Sequence, residues 1–106
     1  MSSEIDLAAE AQENNLLEAC KATAIEGGRA KHHLASAEWA WFDRIVLKSL
    51  EDEAFETLKK ASTEHERIKA QQMLLAADKP RQILKYLVQQ GEAAEMQLIS
   101  TRQNGG

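Results

Sequence analysis

Apolar side chains recur at steps of three and four residues along most of the chain, which is the spacing of one face of an α-helix. The first such series is Ile5, Ala9, Leu16, Cys20 and Ala24. Ser3, followed by an acidic first turn, is typical of a helix start, and Gly27-Gly28 is typical of a C-terminal cap. We therefore predict a first helix over about residues 4–26.

A second series defines a longer helix, over about residues 30–61. Its apolar positions are Trp39, Phe42, Val46, Leu50, Ala54, Leu58 and Ala61. Ser49 would be able to cap a separate helix, but the apolar series keeps its phase across it, which favours one helix over two. Thr63-x-x-Glu66 matches a capping box and predicts that a turn at about residues 61–64 leads into the next helix.

The third series predicts a helix over about residues 64–102, with a frayed tail at 103–106. Its apolar positions are Met73, Ala76, Pro80, Ile83, Leu87, Ala94 and Leu98. The phase continues through Pro80, which favours a helix that is kinked near this residue. The alternative is two helices, the second of them capped by Asp78.

These elements predict an all-α fold and a single helical domain over residues 1–106. One proline and five glycines in 106 residues leave few breaks for strands and turns. A short turn between two long helices predicts a long antiparallel helical hairpin, with the N-terminal helix lying along it. The expected hairpin seam sets Val46, Leu50 and Leu58 against Ile68, Leu75 and Leu87. So short a chain buries a thin core, and we expect oligomerisation to complete it.

Charge and cysteine content narrow the function class. The net charge is −4, and residues 1–28 hold six acidic residues and one lysine, whereas residues 29–85 hold eleven basic and nine acidic residues. An acidic first helix beside a mildly basic middle predicts internal or intersubunit complementarity. Cys20 is the only cysteine and no stretch approaches 18 apolar residues, so we expect a cytoplasmic protein without a membrane partner.

No constellation for catalysis or metal binding is found. His65 and Glu66 begin like a zinc-protease helix motif, but Lys69 stands where the second histidine ligand belongs. His32 and His33 are neighbours and point about 100° apart on a helix, so they do not chelate one ion easily. Cys20 lies on the apolar helix face, as a small hydrophobe does. We predict no enzyme activity, no catalytic residue, no cofactor and no metal.

Three of the five aromatic residues fall within four positions, at Trp39, Trp41 and Phe42. Trp39 and Phe42 share a helix face, whereas Trp41 points elsewhere. One interpretation places all three in the core. The other makes Trp41 the anchor of a partner-binding surface, with Arg44 and Lys48 on adjacent turns, because tryptophan is enriched at binding hot spots.

The basic group Lys79, Arg81 and Lys85 supports an alternative function, that of a nucleic-acid-binding accessory or regulatory factor. Further basic residues lie at 59–60 and 67–69. All of these runs are interleaved with acidic residues in an acidic chain, however, so a solvated, salt-bridged surface is the favoured interpretation.

The segment over residues 39–95 resembles small all-helical proteins of tailed bacteriophages whose role is unassigned. The similar pieces are Glu51–Ala61, Glu66–Gln72 and Ile83–Leu87. The resemblance implies a role in virion assembly or host takeover and carries over no catalytic residue. With the helical pattern, it leads to the hypothesis of a non-enzymatic interaction or assembly protein, forming homo-oligomers and binding another protein. A phage protein of this kind is expected in the host cytoplasm or in the virion.

Overall fold

The computed structural model describes the backbone of residues 2–104 and the side chains of residues 8–103. Over this part of the chain the protein is 95% helical and has no strands, which confirms the all-α prediction. Its helices are α1 (Ser2–Leu34), α2 (Ala37–Trp41), a π-helical segment (Phe42–Leu47), α3 (Lys48–Lys60) and α4 (Glu64–Asn104). The segments from α2 to α3 follow one another without a break, so three continuous helical stretches are described.

The first helix is longer than the sequence pattern indicates. α1 continues through Gly27 and Gly28 and ends at Leu34, so the prediction that this pair caps the helix is wrong. Neither glycine has a positive φ, which is the conformation that a glycine C-cap requires. The break falls instead before Ser36, whose hydroxyl accepts a hydrogen bond from the backbone N–H of Trp39 at 3.1 Å and caps α2. The second helical stretch therefore starts at Ala37 and not near residue 30.

Thr63 caps α4 as the predicted capping box requires, and the reciprocal bond of Glu66 goes to Ser62 in place of Thr63. The backbone N–H of Glu66 donates to Thr63 Oγ1 at 3.2 Å, and the carboxylate of Glu66 accepts from the backbone N–H of Ser62 at 3.0 Å. Two backbone amides at the helix start are therefore satisfied by side chains. This local arrangement ends the second helical stretch at Lys60 and starts the third at Glu64.

We expect Thr63→Ala to lower the free energy of unfolding by about 1 kcal/mol, because it removes the acceptor for the Glu66 amide. Urea unfolding followed by circular dichroism, at one fixed protein concentration, measures this change. Thr101→Ala is the matched control, because the Thr101 hydroxyl only donates to the Gln97 carbonyl within α4. A loss of equal size in both variants would mean that the cap contributes nothing specific.

The third helix continues through its proline. Pro80 lies inside α4, so the alternative of two helices separated at this point is wrong. Asp78 does not cap a helix, and its carboxylate accepts a hydrogen bond from the Gln82 side chain at 2.6 Å. The kink near Pro80 stays a prediction. Of the tail expected to fray, residues 103–104 belong to α4, and residues 105–106 lie outside the described part of the chain, as does the Ser3 side chain.

The chain forms two compact units, one of residues up to Ala30 and from Leu87 onward, the other of Lys31–Tyr86. The prediction of a single domain stays a prediction. In the first unit α1 and α4 meet at two glycines. A Cβ on Gly27 would lie 2.5 Å from the Cα of Gly91 and 2.8 Å from the Leu87 carbonyl oxygen. Only residues without side chains allow two backbones to approach this closely.

The second unit is held together by small buried residues around the turn. Ala54, Ala70 and Ala77 are fully buried, and Leu47 is nearly so. Two pairs of these residues are placed symmetrically about Ser62 in the sequence. Leu47 and Ala77 form the outer pair, and Ala54 and Ala70 form the inner pair. The paired positions recur at seven residues, which is the spacing of a seam between helices.

Four of the six positions expected in the hairpin seam are exposed. Val46, Leu58, Ile68 and Leu75 are exposed, whereas Leu50 and Leu87 are half-buried. The π-helical segment explains the shift before α3, because its i→i+5 hydrogen bonds place more residues in each turn than an α-helix does. The less exposed positions accordingly step by four through the segment, at Trp39, Asp43 and Leu47.

Candidate partner-binding surface

A cavity of about 660 Å³ lies beside the junction between α1 and α2. Its lining residues are His33, Ala37, Glu38, Trp39, Trp41 and Phe42. We call this set the aromatic pocket. The Ser36 cap fixes the first turn of α2, and the π-helical segment begins at Phe42, so two local features of the backbone set the positions of its rings.

The rings of the aromatic pocket form a tilted series. The centroid of Trp39 lies 5.5 Å from that of His33, with an interplanar angle of 56°, and 5.9 Å from that of Phe42, with an angle of 32°. Such tilted contacts are favourable between aromatic rings. Trp39 is half-buried, whereas Trp41 is 54% exposed. Most of the Trp41 side chain is therefore accessible to a partner.

The two basic residues grouped with Trp41 are both exposed. Lys48 forms a 3.4 Å ion pair with Asp52 one turn further along α3. Arg44 follows Trp41 by three residues and lies inside the π-helical segment. A π-helix has more residues in each turn than an α-helix, so a step of three residues covers less of a turn. Arg44 is therefore rotated away from the Trp41 side of the helix. The assignment of Trp41, Arg44 and Lys48 to a partner-binding surface stays a prediction.

The basic residues Lys79, Arg81 and Lys85 of α4 differ in their ion pairing. Arg81 Nε donates to the Asp43 carboxylate at 2.5 Å, and Arg81 also forms an ion pair with Glu51. Hydrogen bonding to Glu51 and then to Asp43 raises the pKa of Arg81 above its ordinary value. Lys79 and Lys85 are exposed. One of the three residues proposed for phosphate contacts therefore has its charge neutralised within the chain.

The histidines and the cysteine considered as metal ligands or reactive groups do not cluster in the described part of the chain. Among residues 8–103, no three histidine, cysteine or acidic side chains converge in a way that would hold a metal ion. His32 and His33 are exposed, and the imidazole of His33 contacts the ring of Trp39. Cys20 is half-buried, and its thiol donates to the Ala94 carbonyl at 3.2 Å.

Large apolar side chains lie on the outside of the helices. The exposed ones are Leu16, Ile25, Trp41, Phe42, Ile45, Val46, Phe55, Leu58, Ile68, Leu75, Ile83, Tyr86, Met96 and Ile99. Among residues 8–103, the fully or nearly fully buried apolar residues are alanines and Leu47. Other large apolar side chains, among them Leu50, Leu74 and Leu84, are half-buried between the helices. So much exposed apolar surface is typical of a protein that associates.

Sequence reasoning found Trp39, Trp41 and Phe42 but missed His33 and Glu38 as their neighbours in the aromatic pocket. His33 lies in the last turn of α1, and Glu38 lies in α2. The break between these two helices was predicted at Gly27-Gly28. Ser36 carried a usable signal, since serine is a preferred N-cap, but the glycine pair was given more weight.

Comparisons of the chain with protein-family models, curated proteins and solved structures found no match. None of the helices described over residues 2–104 combines the length and apolar character needed to cross a membrane.

Proposed function

We propose that the protein is a non-enzymatic interaction or assembly protein that works through the protein–protein contacts of an oligomeric helical bundle. The observation that carries this proposal is the number of large apolar side chains that are exposed, fourteen among residues 8–103. In this proposal α3 and α4 pair as an antiparallel hairpin, and copies of the chain associate through the apolar surface that the hairpin exposes.

The clearest associating surface is the outer side of α4. Ile68, Leu75 and Tyr86 are separated by seven and eleven residues, so they lie along one side of the helix. All three are exposed, Leu75 to 67%. The fully buried Ala70 and Ala77 are each two residues further along than Ile68 and Leu75, and positions two apart do not share a helix face. This stripe is therefore free for another chain.

A second copy of the chain suits this surface by charge. Residues 1–28 carry an excess of acidic groups, whereas residues 29–85 have a small excess of basic groups. Complementary charges around an apolar contact favour association and fix its orientation. The resemblance to tailed-phage helical proteins supports a role in virion assembly or host takeover. The nucleic-acid alternative has less support, because Arg81 is already paired with two carboxylates.

Size-exclusion chromatography with light scattering tests the association. We expect a mass of at least two chains at micromolar protein concentration, against 11.8 kDa for one chain. A monomer over the whole concentration range would remove oligomerisation from the proposal.

We expect Leu75→Gln to shift the protein towards the monomer while leaving its helical content unchanged. The change replaces an exposed apolar group by a polar one, and a single contact of this kind contributes about 1–2 kcal/mol to an interface. Light scattering across a dilution series measures the shift, and circular dichroism measures the helix. The matched control is Ala76→Gln, which adds the same side chain at the adjacent exposed position. If both variants dissociate equally, the α4 stripe is not the contact surface.

A further inference from the structure

We propose that the aromatic pocket receives the guanidinium group of an arginine on a partner protein. This inference rests on the proposed interaction function and names the chemical group that its partner supplies. The pocket lies wholly within the second unit, in residues 33–42, so it is complete in one compact part of the chain.

Aromatic rings supply the first part of the recognition. Trp39, Trp41 and Phe42 line one cavity, and tryptophan provides the most favourable ring face for a cation. A guanidinium group is planar and weakly hydrated, so it stacks on such a face more readily than a lysine ammonium does. The half-exposed Trp41 leaves ring surface for this contact.

Charge supplies the second part. Glu38 is the only carboxylate among the lining residues, and no lysine or arginine lines the cavity. Among the described side chains, Glu38 forms no ion pair. The Glu38 side chain is exposed, so its carboxylate is accessible to a charged group that enters the cavity. A cation that stacks on the rings and pairs with Glu38 satisfies both features at once.

The chain offers a direct readout of this site. Its only two tryptophans, Trp39 and Trp41, both line the pocket, so intrinsic tryptophan fluorescence reports on occupancy of the pocket. The full chain is titrated with N-acetyl-arginine amide and, in a parallel series at the same ionic strength, with N-acetyl-citrulline amide. The two probes have nearly the same shape, but citrulline carries a neutral urea in place of the guanidinium.

We expect a saturable change in emission with the arginine probe and binding at least roughly fivefold weaker for citrulline. Glu38→Gln should remove most of this preference. Glu53→Gln, at an exposed position of α3 outside the pocket, should leave it intact. Trp41→Leu should weaken arginine binding while Trp39 still reports it.

Equal binding of the two probes, or no saturable binding of either, would overturn the proposal. So would equal effects of Glu38→Gln and Glu53→Gln. A choline titration separates the two sources of an organic cation, and tighter binding of choline than of the arginine probe would overturn a partner arginine as the occupant. A monomeric protein that still prefers arginine would contradict the proposed oligomer and leave the pocket assignment standing, so the two failures can be told apart.

Discussion

Gly27→Ala is expected to lower the free energy of unfolding by about 1–3 kcal/mol. The new methyl group would lie 2.5 Å from the Cα of Gly91 and 2.8 Å from the Leu87 carbonyl oxygen, and both are backbone atoms that cannot rotate away. The two helices of the first unit would have to separate. In a thermal melt this corresponds to about 4–8 °C for each kcal/mol in a domain of this size.

The next residue provides the control. A Cβ on Gly28 would meet no atom within 4 Å, so Gly28→Ala adds only the better helix propensity of alanine. We expect it to stabilise the protein by about 0.5–1 kcal/mol. We therefore expect the two substitutions at adjacent glycines to shift the melting temperature in opposite directions. Melting curves of both variants at one protein concentration measure these shifts. Stabilisation by both substitutions would show that α1 and α4 do not approach closely at Gly27.

Arg81→Met is expected to cost about 1–3 kcal/mol, because it leaves Asp43 and Glu51 close together without a cation. The value is below that of a fully buried pair, since 40% of the Asp43 side chain is exposed and solvent screens its charge. Because these hydrogen bonds raise the pKa of Arg81, its guanidinium stays charged at neutral and alkaline pH, and its contribution to stability is lost as pH rises through the raised value.

Two comparisons isolate this effect in chemical denaturation at neutral pH. Lys79→Met removes an exposed positive charge from the same helix and should change stability by less than about 0.5 kcal/mol. Adding Asp43→Asn and Glu51→Gln to Arg81→Met should recover part of the loss, because neutral amides need no counter-charge. If the triple variant is no more stable than Arg81→Met, repulsion between the two carboxylates is not the cause.

Local signals in the sequence were sufficient for the helix class and for one helix boundary. The Thr63 and Glu66 side chains satisfy amides within four residues of themselves, so their roles do not depend on the rest of the fold. The apolar phase across Pro80 was likewise a sound guide to a continuous α4.

The glycine pair could not be interpreted correctly from local sequence. Gly27 is adapted to Gly91, a residue far along the chain, and the same two letters would equally well describe a helix end. The decisive fact is a contact between backbones, which leaves no apolar or charge pattern in either segment. Because this helix end was misassigned, the break between α1 and α2 was also predicted at the wrong place. Two residues that line the aromatic pocket, His33 and Glu38, were missed for the same reason.

The hairpin seam was misassigned for a different reason. Its expected positions are large apolar residues such as Val46 and Leu75, whereas the buried ones are Leu47 and alanines. Extending an α-helical period through Phe42–Leu47 also assumes 3.6 residues per turn where the chain forms a π-helix. Large apolar residues therefore mark exposed positions of these helices as well as buried ones.

The π-helical segment also has a meaning for how such a chain can change in evolution. A turn closed by i→i+5 hydrogen bonds holds one residue more than a turn closed by i→i+4 bonds over the same stretch of helix. A one-residue deletion within Phe42–Leu47 would thus convert it to ordinary α-helix while keeping the faces of α2 and α3 aligned with each other. Length variation among descendants of this chain can therefore be accommodated inside a helix, as well as in the turn at residues 61–63.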